Sequence, residues 1–258
     1  MSNTQNDKVV ISQKKGQSFV GPLINRSQSK MNLKEFFSLL WLNFTVFLSN
    51  LWEFACVTVR YYGNFAFLKA DIALRLMYLF HNPYSISKRF LMKRGEKEIY
   101  AYGETPLTSL ETIVQEAQIG KNDCVFELGS GRGRTCFWLN SFIGCSVVGI
   151  EYIPEFVERA NRIKKRLNFQ NLEFRLADFR NVEFKGATVC YLYGTCLDDS
   201  SIQSLIEKFS KLPIGTKIIT VSYPLTEYTN KTCFEVMKRF MVPYTWGKAD
   251  VFVHVVTK

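Results

Sequence analysis

Ten consecutive residues constrain this chain more than any others: Val125-Phe126-Glu127-Leu128-Gly129-Ser130-Gly131-Arg132-Gly133-Arg134. An apolar run ends in an acid, continues with glycine at every second position, and opens a helical pattern. A tight strand-to-helix turn needs glycine there, because a side chain would hold a ligand away from the backbone. The spacing is G-x-G-x-G. It differs from the G-x-G-x-x-G that seats a pyrophosphate on a helix N-terminus, which disfavours a dinucleotide oxidoreductase. A turn of this kind needs a buried strand before it and a helix behind it, so the surrounding chain is expected to be an α/β sheet.

The flanking pattern agrees. From Tyr100 onward, apolar runs of strand length alternate with helical patterns, which argues for a mostly parallel sheet. Helices are expected over 108–118 (with Pro106 near its start), from 134, over 154–167 and over 200–209. Strands are expected over 124–128, 146–150, 172–176, 188–192 and 217–222. Two more strands, over 234–240 and 250–256 with a turn-rich segment between them, should close the sheet as an antiparallel pair.

Two further acids stand at strand ends. Glu151 follows Ser146-Val147-Val148-Gly149-Ile150, and Asp178 follows Leu176-Ala177. A carboxylate in the first place can accept hydrogen bonds from both ribose hydroxyls of an adenosine, and one in the second can meet the adenine edge. Any one of these acids could be a helix cap. Three at three successive strand ends point to a ligand, because ligands of open sheets bind beyond the carboxyl ends of the strands.

The front of the chain is different. Residues 1–100 carry 14 Lys/Arg against 6 Asp/Glu, and the remainder 19 against 17, so most of the net charge of +10 lies ahead of the sheet. That asymmetry suits an anionic surface or partner. Residues 1–30 are polar and without period, and are expected to be a flexible tail. Residues 31–99 read as a helical extension. Asn32 and Glu35 have the spacing of a capping box, an apolar stretch runs from Phe36 to Val59, and a second helical pattern runs from Asn64 to Phe80. The basic segment from Lys88 to Lys97 is read as a connector or short helix.

The stretch over 36–59 has 24 residues and one charge, Glu53. It is long enough to span a bilayer. On a helical wheel, however, Phe36, Phe37, Leu40, Trp41, Phe44, Phe47, Leu48, Leu51, Trp52 and Ala55 share one face, while Ser38, Asn43, Thr45, Ser49, Asn50 and Glu53, interrupted by a few aliphatics, share the other. Such an amphipathic helix either packs on protein or lies in a membrane interface, and the second helix, with Ile72, Leu76 and Leu79, favours packing. The seven cysteines are scattered without C-x-x-C spacing, only two histidines occur, and no residues have metal-ligand spacing. A reducing compartment is expected, hence the cytoplasm, with a membrane surface as the alternative place.

Residues 100–258 resemble the class I, seven-strand S-adenosylmethionine-dependent methyltransferases, and most of all their protein lysine methyltransferases. Tyr102-Gly103-Glu104-Thr105-Pro106, a helix and then Glu-Leu-Gly-Ser-Gly-Arg-Gly-Arg are similar to the disruptor-of-telomeric-silencing histone lysine methyltransferases. Ala187-Thr188-Val189-Cys190-Tyr191-Leu192-Tyr193, with Ser222-Tyr223-Pro224 after the next strand, look more like the ATP-synthase c-subunit lysine methyltransferases. The fourth strand of the histone enzymes ends in an Asn-rich motif, and Tyr193-Gly194-Thr195 stands in its place here. The resemblance implies a Rossmann-like sheet with S-adenosyl-L-methionine as cofactor. Glu127 would lie near the methionine amino group, with Gly129, Ser130, Gly131 and Gly133 under the cofactor. Glu151 would take the ribose and Asp178 the adenine, and Tyr102, Glu104 and Thr105 would close over the methionine end.

A lysine nucleophile must arrive neutral, and an aromatic channel favours the neutral amine by desolvation. Tyr193 and Tyr223, after the fourth and fifth strands, are the candidate catalytic walls, followed by Tyr191 and Trp246. The expected partner is a protein substrate, with no metal and no specific nucleic acid. A small-molecule, lipid or RNA acceptor is the nearest alternative, and a catalytically silent adaptor the next. None of the acids or glycines of the cofactor set is missing, which speaks against the adaptor.

Overall fold

The computed structural model describes residues 33–229, 233–244 and 247–258. Seven strands, β1 (Cys124–Leu128), β2 (Ser146–Glu151), β3 (Leu172–Leu176), β4 (Val189–Leu192), β5 (Lys217–Val221), β6 (Phe234–Tyr244) and β7 (Gly247–Val256), form one sheet in the order β3-β2-β1-β4-β5-β7-β6. The pairings among β1 to β5 are parallel, and β7 enters antiparallel between β5 and β6. Period-2 alternation divides the inner strands between two cores. Val125, Val147, Val189, Tyr191 and Ile219 face one, while Phe126, Val148, Cys190 and Ile218 face the other. Strands covered on both faces read as nearly unbroken apolar runs, which is why β1, β2 and β4 stand out in the sequence.

The helices are α1 (Leu33–Tyr61), α2 (Phe65–Met77), α3 (Pro83–Arg94), α4 (Leu107–Glu116), α5 (Arg134–Phe142), α6 (Pro154–Leu167) and α7 (Asp199–Phe209). In α6 the buried residues Phe156, Val157, Ala160 and Ile163 recur at helical spacing, and Asn168 ends the helix in the left-handed conformation behind three basic residues. Of the two readings of the basic segment, connector or short helix, the helix holds for most of it, in α3. That helix starts at Pro83 because the Asn82 side chain accepts from Tyr84 N, and it stops at Gly95, φ 72°. The described residues of the turn-rich segment expected before the last strand are instead ladder, with pairing from Phe234↔Val256 to Tyr244↔Gly247. Pro243 is tolerated because β6 is an edge strand, and Val242 and Tyr244 alternate inward against the core. The expected cap at Asn32 and the tail over 1–30 lie outside the described residues.

The extension and the sheet share a core. One buried cluster runs from Val57 and Tyr61 through Phe67, Ala70 and Leu74 to the sheet face at Val125 and Val147. Glu53, the single charge of the apolar stretch, is the hinge of this arrangement. α4 follows Pro106 and has no side-chain cap of its own. Glu53 supplies one across the fold, accepting from Thr108 N (3.2 Å) and Thr108 Oγ1 (2.6 Å). One turn or two further on, Tyr61 donates to Glu111 at 2.8 Å and Arg60 pairs with it at 3.1 Å. The last third of α1 is thereby fastened to α4.

Removing the Glu53 carboxylate frees the amide and hydroxyl of Thr108. Glu53→Ala is expected to cost about 1 kcal/mol, as for loss of a helix cap, and to lower Tm by about 2–4 °C in a chain of this size. Thermal denaturation followed by circular dichroism checks this; a melt superimposable on the parent's would show that the cap contributes nothing.

Candidate active site

The glycine turn follows from the end of β1. Gly129 N and Ser130 N both donate to Ile150 O, at 2.8 and 3.0 Å, so the turn is bound to the neighbouring strand. Gly129, Gly131 and Gly133 have φ of 83°, 54° and 79°. At Gly131 a Cβ would stand 3.2 Å from the Tyr102 ring, so the left-handed backbone and the covering ring both require glycine. Tyr102 is held over the turn by Tyr84 and Phe156, with ring centroids 5.0 and 5.2 Å away.

Above the turn is a small cleft, partly open to solvent. Of the residues expected from the sequence, Glu104, Thr105, Glu127, Gly129, Ser130, Gly131 and Tyr193 line it. Glu127 accepts from Thr135 Oγ1 and from Cys136 Sγ (2.9 Å). Burial pushes its carboxyl up to about 7, and those two hydrogen bonds offset only part of the rise. The Ser130 hydroxyl is buried beside it with no hydrogen-bond partner. Thr105 is fixed by Tyr191, hydroxyl to hydroxyl, at 2.6 Å.

Glu104 is paired across the cleft. Arg132 donates to it through Nε and Nη2 at 2.5 and 2.7 Å, and the Tyr102 hydroxyl donates as well. Burial works to raise the Glu104 pKa, but the guanidinium outweighs it and holds the carboxyl below its usual range. The Arg132 guanidinium also lies 5.2 Å from the centre of the Tyr78 ring, at the end of α2. On the other side of the cleft, Tyr193 lies so close to Gly103 that a Cβ there would meet its ring at 2.7 Å. Behind it Tyr193 stacks on Tyr244 with centroids 5.0 Å apart and planes 3° from parallel.

Other expected residues are placed elsewhere. Glu151 sits just behind the turn, accepting from Gly131 N (2.7 Å) and Ile153 N (2.8 Å); burial raises its pKa. Tyr152 N also donates to this carboxylate, which keeps acceptor capacity for one further ligand hydroxyl. Asp178 caps the short turn Phe179–Asn181 and is paired with Arg180 at 2.7 Å. Tyr191 points into the core beneath Thr105. Tyr223 does not reach the cleft. Ser222 takes φ 75° at the end of β5, and this reversal sends the Tyr223 ring into the second core against Tyr228, 5.6 Å away. Trp246 lies outside the described residues.

Sequence reasoning passed over Arg132, Arg134 and Thr135, which also line the cleft, and Tyr244 behind it. The two arginines lie within the glycine motif itself, so the signal was adjacent. Their partners were not, because Glu104 and Asp71 are 28 and 63 residues away. Asp71, on α2, is 1% exposed and receives Arg134 Nε at 2.6 Å, Arg134 Nη2 at 3.2 Å, Arg75 Nε at 3.1 Å and the Tyr62 hydroxyl at 2.7 Å. Burial opposes its ionisation, yet Arg134 and the other donors prevail and hold its pKa at about 2.

Comparison with known proteins follows the same outline. Residues 119–238 match the family model described as "Methyltransferase domain". The chain is 27% identical over 137 residues to a histone-lysine N-methyltransferase, H3 lysine-79 specific, of Dictyostelium discoideum, covering 46% of this chain and 7% of that protein. It is 34% identical over 103 residues to protein-L-isoaspartate O-methyltransferase 2 of Archaeoglobus fulgidus, covering 39% of this chain and 46% of that protein. The chain thus spans less than half the length of either curated relative. Among solved structures, an RNA methyltransferase from Salinibacter ruber in complex with S-adenosyl-L-homocysteine shares the fold, with TM-score 0.50 and 24% identity over 60% of this chain and 95% of that one.

Asp71 ties the extension to the first residue of α5, and its loss would leave two arginines around an uncharged group. Asp71→Asn is expected to cost about 3–5 kcal/mol, as when one partner of a buried pair is removed. Glu173→Gln, at an exposed pair, is expected to cost under about 1 kcal/mol. The Asp71 pKa is depressed in the fold, so its contribution is complete above its unfolded value of about 3.9 and is lost as pH falls through about 2. Urea unfolding at neutral pH and near pH 3 checks both points: the gap between parent and Asp71→Asn should narrow in acid.

Proposed function

We propose that this chain, whose sheet carries a class I S-adenosylmethionine-dependent methyltransferase domain, transfers a methyl group to lysine side chains of a protein. The carrying observation is that one cleft joins a carboxyl and an unpartnered hydroxyl, Glu127 and Ser130, to an aromatic wall, Tyr193 backed by Tyr244. The first pair suits the amino-acid end of the cofactor. The second suits an alkyl ammonium that must shed its proton. Both curated relatives are, by name, methyltransferases of proteins, one at a lysine nitrogen and the other at an isoaspartate oxygen, which supports a protein acceptor, and the first of them an amine.

The residues present fit the cofactor. Glu127 can accept from an ammonium group, and the buried Ser130 hydroxyl has a hydrogen bond still to make. The glycine turn leaves bare backbone under the cleft, and Glu151 stands at the end of β2 with acceptor capacity left for a ribose hydroxyl. Asp178, paired with Arg180 beyond the end of β3, is proposed to meet the adenine. When bound, the cofactor supplies an already activated methyl group, so the protein's task is alignment and exclusion of water. The Glu104–Arg132 pair holds the loop over 102–105 against the glycine turn and closes that side. Tyr193 presents an apolar ring where the acceptor meets the cleft, which disfavours the charged amine through desolvation. Tyr223, sent into the second core, takes no part in this scheme.

Two measurements test the reading. Between pH 5 and 7 the empty cleft keeps a proton on Glu127 that a cationic amino group must displace. Affinity for S-adenosylmethionine is therefore expected to fall by up to about tenfold for each pH unit below 7, and Glu127→Gln is expected to flatten the profile. Isothermal calorimetry across that range reads it; a flat profile in the parent removes Glu127 from the site. For the acceptor, the full chain is incubated with labelled cofactor and cell lysate, followed by mass spectrometry. Methyl-lysine is expected, with turnover reduced at least about tenfold in Tyr193→Ala, a loss of about 1.4 kcal/mol in transition-state stabilisation. Label confined to nucleic acid, lipid or small molecules would overturn the lysine assignment while leaving the transferase intact.

A further inference from the structure

The free end of α1 is the largest feature that the cleft does not use. Seventeen residues from Phe36 to Trp52 carry no charge, and the most apolar window of this helix is only 6% buried. Phe37, Trp41, Phe47 and Trp52 are 60%, 68%, 61% and 73% exposed. The expected packing of the aromatic face, with Ile72, Leu76 and Leu79 as its partner surface, is not formed: those three are 44–65% exposed, and the helix docks on the domain only from Glu53 onward, through the face of Glu53, Val57 and Tyr61. Ahead of Glu53 both faces are open, Leu42 and Asn43 as well as Trp41 and Phe44. Apolar surface of this extent is far larger than a monomer in water ordinarily shows.

The exposed apolar surface continues onto α2. Phe65, Ile72, Leu76, Leu79 and Phe80 are 44–88% exposed. α2 adjoins α1 at the point of exit, where the Arg75 guanidinium lies 4.7 Å from the centre of the Phe54 ring. Charge then identifies the occupant. From Phe54 to Gly95 there are seven Lys/Arg and one acid, and that acid is the buried Asp71. This segment is therefore cationic and its own carboxylate is buried, with Arg60 alone of its cations paired to a partly exposed acid, Glu111 of α4, among the described residues. An anionic lipid surface complements both properties, since it offers hydrocarbon for the aromatic stretch and negative headgroups for the cations.

We infer that α1 from Phe36 to Trp52 inserts into an anionic lipid bilayer, with the cations of α2 and α3 at its headgroups. Seventeen helical residues span about 25 Å, in the range that the hydrocarbon of a bilayer accepts. The Thr45 hydroxyl is satisfied inside the helix by Leu42 O at 2.8 Å, which lowers the cost of burying it in lipid. Trp52 stands where an interfacial aromatic belongs, and the Glu53 side chain is bound on the protein side by Thr108.

Flotation of the full chain on a density gradient tests the inference, using vesicles of phosphatidylcholine alone and of phosphatidylcholine with phosphatidylglycerol. The expected result is flotation with the anionic vesicles at least several-fold above the neutral ones, and retention after a high-salt wash. Phe44→Asp with Leu48→Asp is expected to abolish flotation and to leave S-adenosylmethionine affinity, read by calorimetry, at the parent's value. That unchanged affinity shows the variant folded and separates this inference from the enzymatic one. The inference is overturned if the parent stays at the bottom of the gradient, binds both vesicles equally or is released by salt. It is overturned equally if the variant floats like the parent, or if a lipid-free dimer buries residues 36–52.

Discussion

The carbonyl oxygen of Ile150 takes two hydrogen bonds, from Gly129 N and Ser130 N, and so ties the end of β2 to the turn that leaves β1. The bond fixes the path of a backbone with no side chains to steady it. With that path set, Glu127 points into the cleft and Gly131 N reaches the Glu151 carboxylate. Arg132 and Arg134 leave the turn toward different partners, Glu104 and Asp71. A turn of this kind is strained for ordinary residues and stable only when its amides are claimed. Here β2, Glu151 and the Ser130 carbonyl claim them.

The acids around the turn differ in their partners, and Glu151 is met by backbone amides. Glu104 and Asp71 are each met by arginine and stay ionised, and Asp178 has Arg180 beside it. Glu127 alone in this group of acids meets only a hydroxyl and a thiol, and burial raises its pKa to about 7. A cleft with one carboxyl short of a cation is prepared for a cationic ligand, because binding supplies what folding withheld. The same turn couples the helical extension to the site. Asp71 lies on α2 and Tyr78 at its end, yet their partners Arg134 and Arg132 line the cleft. The extension is thus part of the scaffold of the site, while the free end of α1 stands apart from it.

The sheet was legible because parallel strands buried on both faces give apolar runs that punctuation by acids and glycines makes plain; the bounds of β1, β3 and α6 agree with the pattern residue for residue. The hairpin of β6 and β7 was underestimated because Pro243 and Gly247 signal a turn locally. An edge strand tolerates that proline, and Val242, Tyr244 and Ala249 face inward against the core. Within the site, the glycines and acids of the turn were legible as a motif. Tyr223 was not, since one residue in a left-handed conformation, Ser222, decides which core receives its ring.

The sequence by itself determined the order of the elements, the glycine turn and the acid before it, for these rest on local chemistry: which residues tolerate positive φ, and which period buries one face. Only the tertiary structure decided the partners of the charges. Glu53 caps α4 from 55 residues away, Asp71 holds Arg134 across 63, and Tyr244 backs Tyr193 from a strand at the sheet edge. Each pairing requires burial to make an ion seek one counter-ion or a ring one neighbour, and burial exists only after the chain has closed on itself.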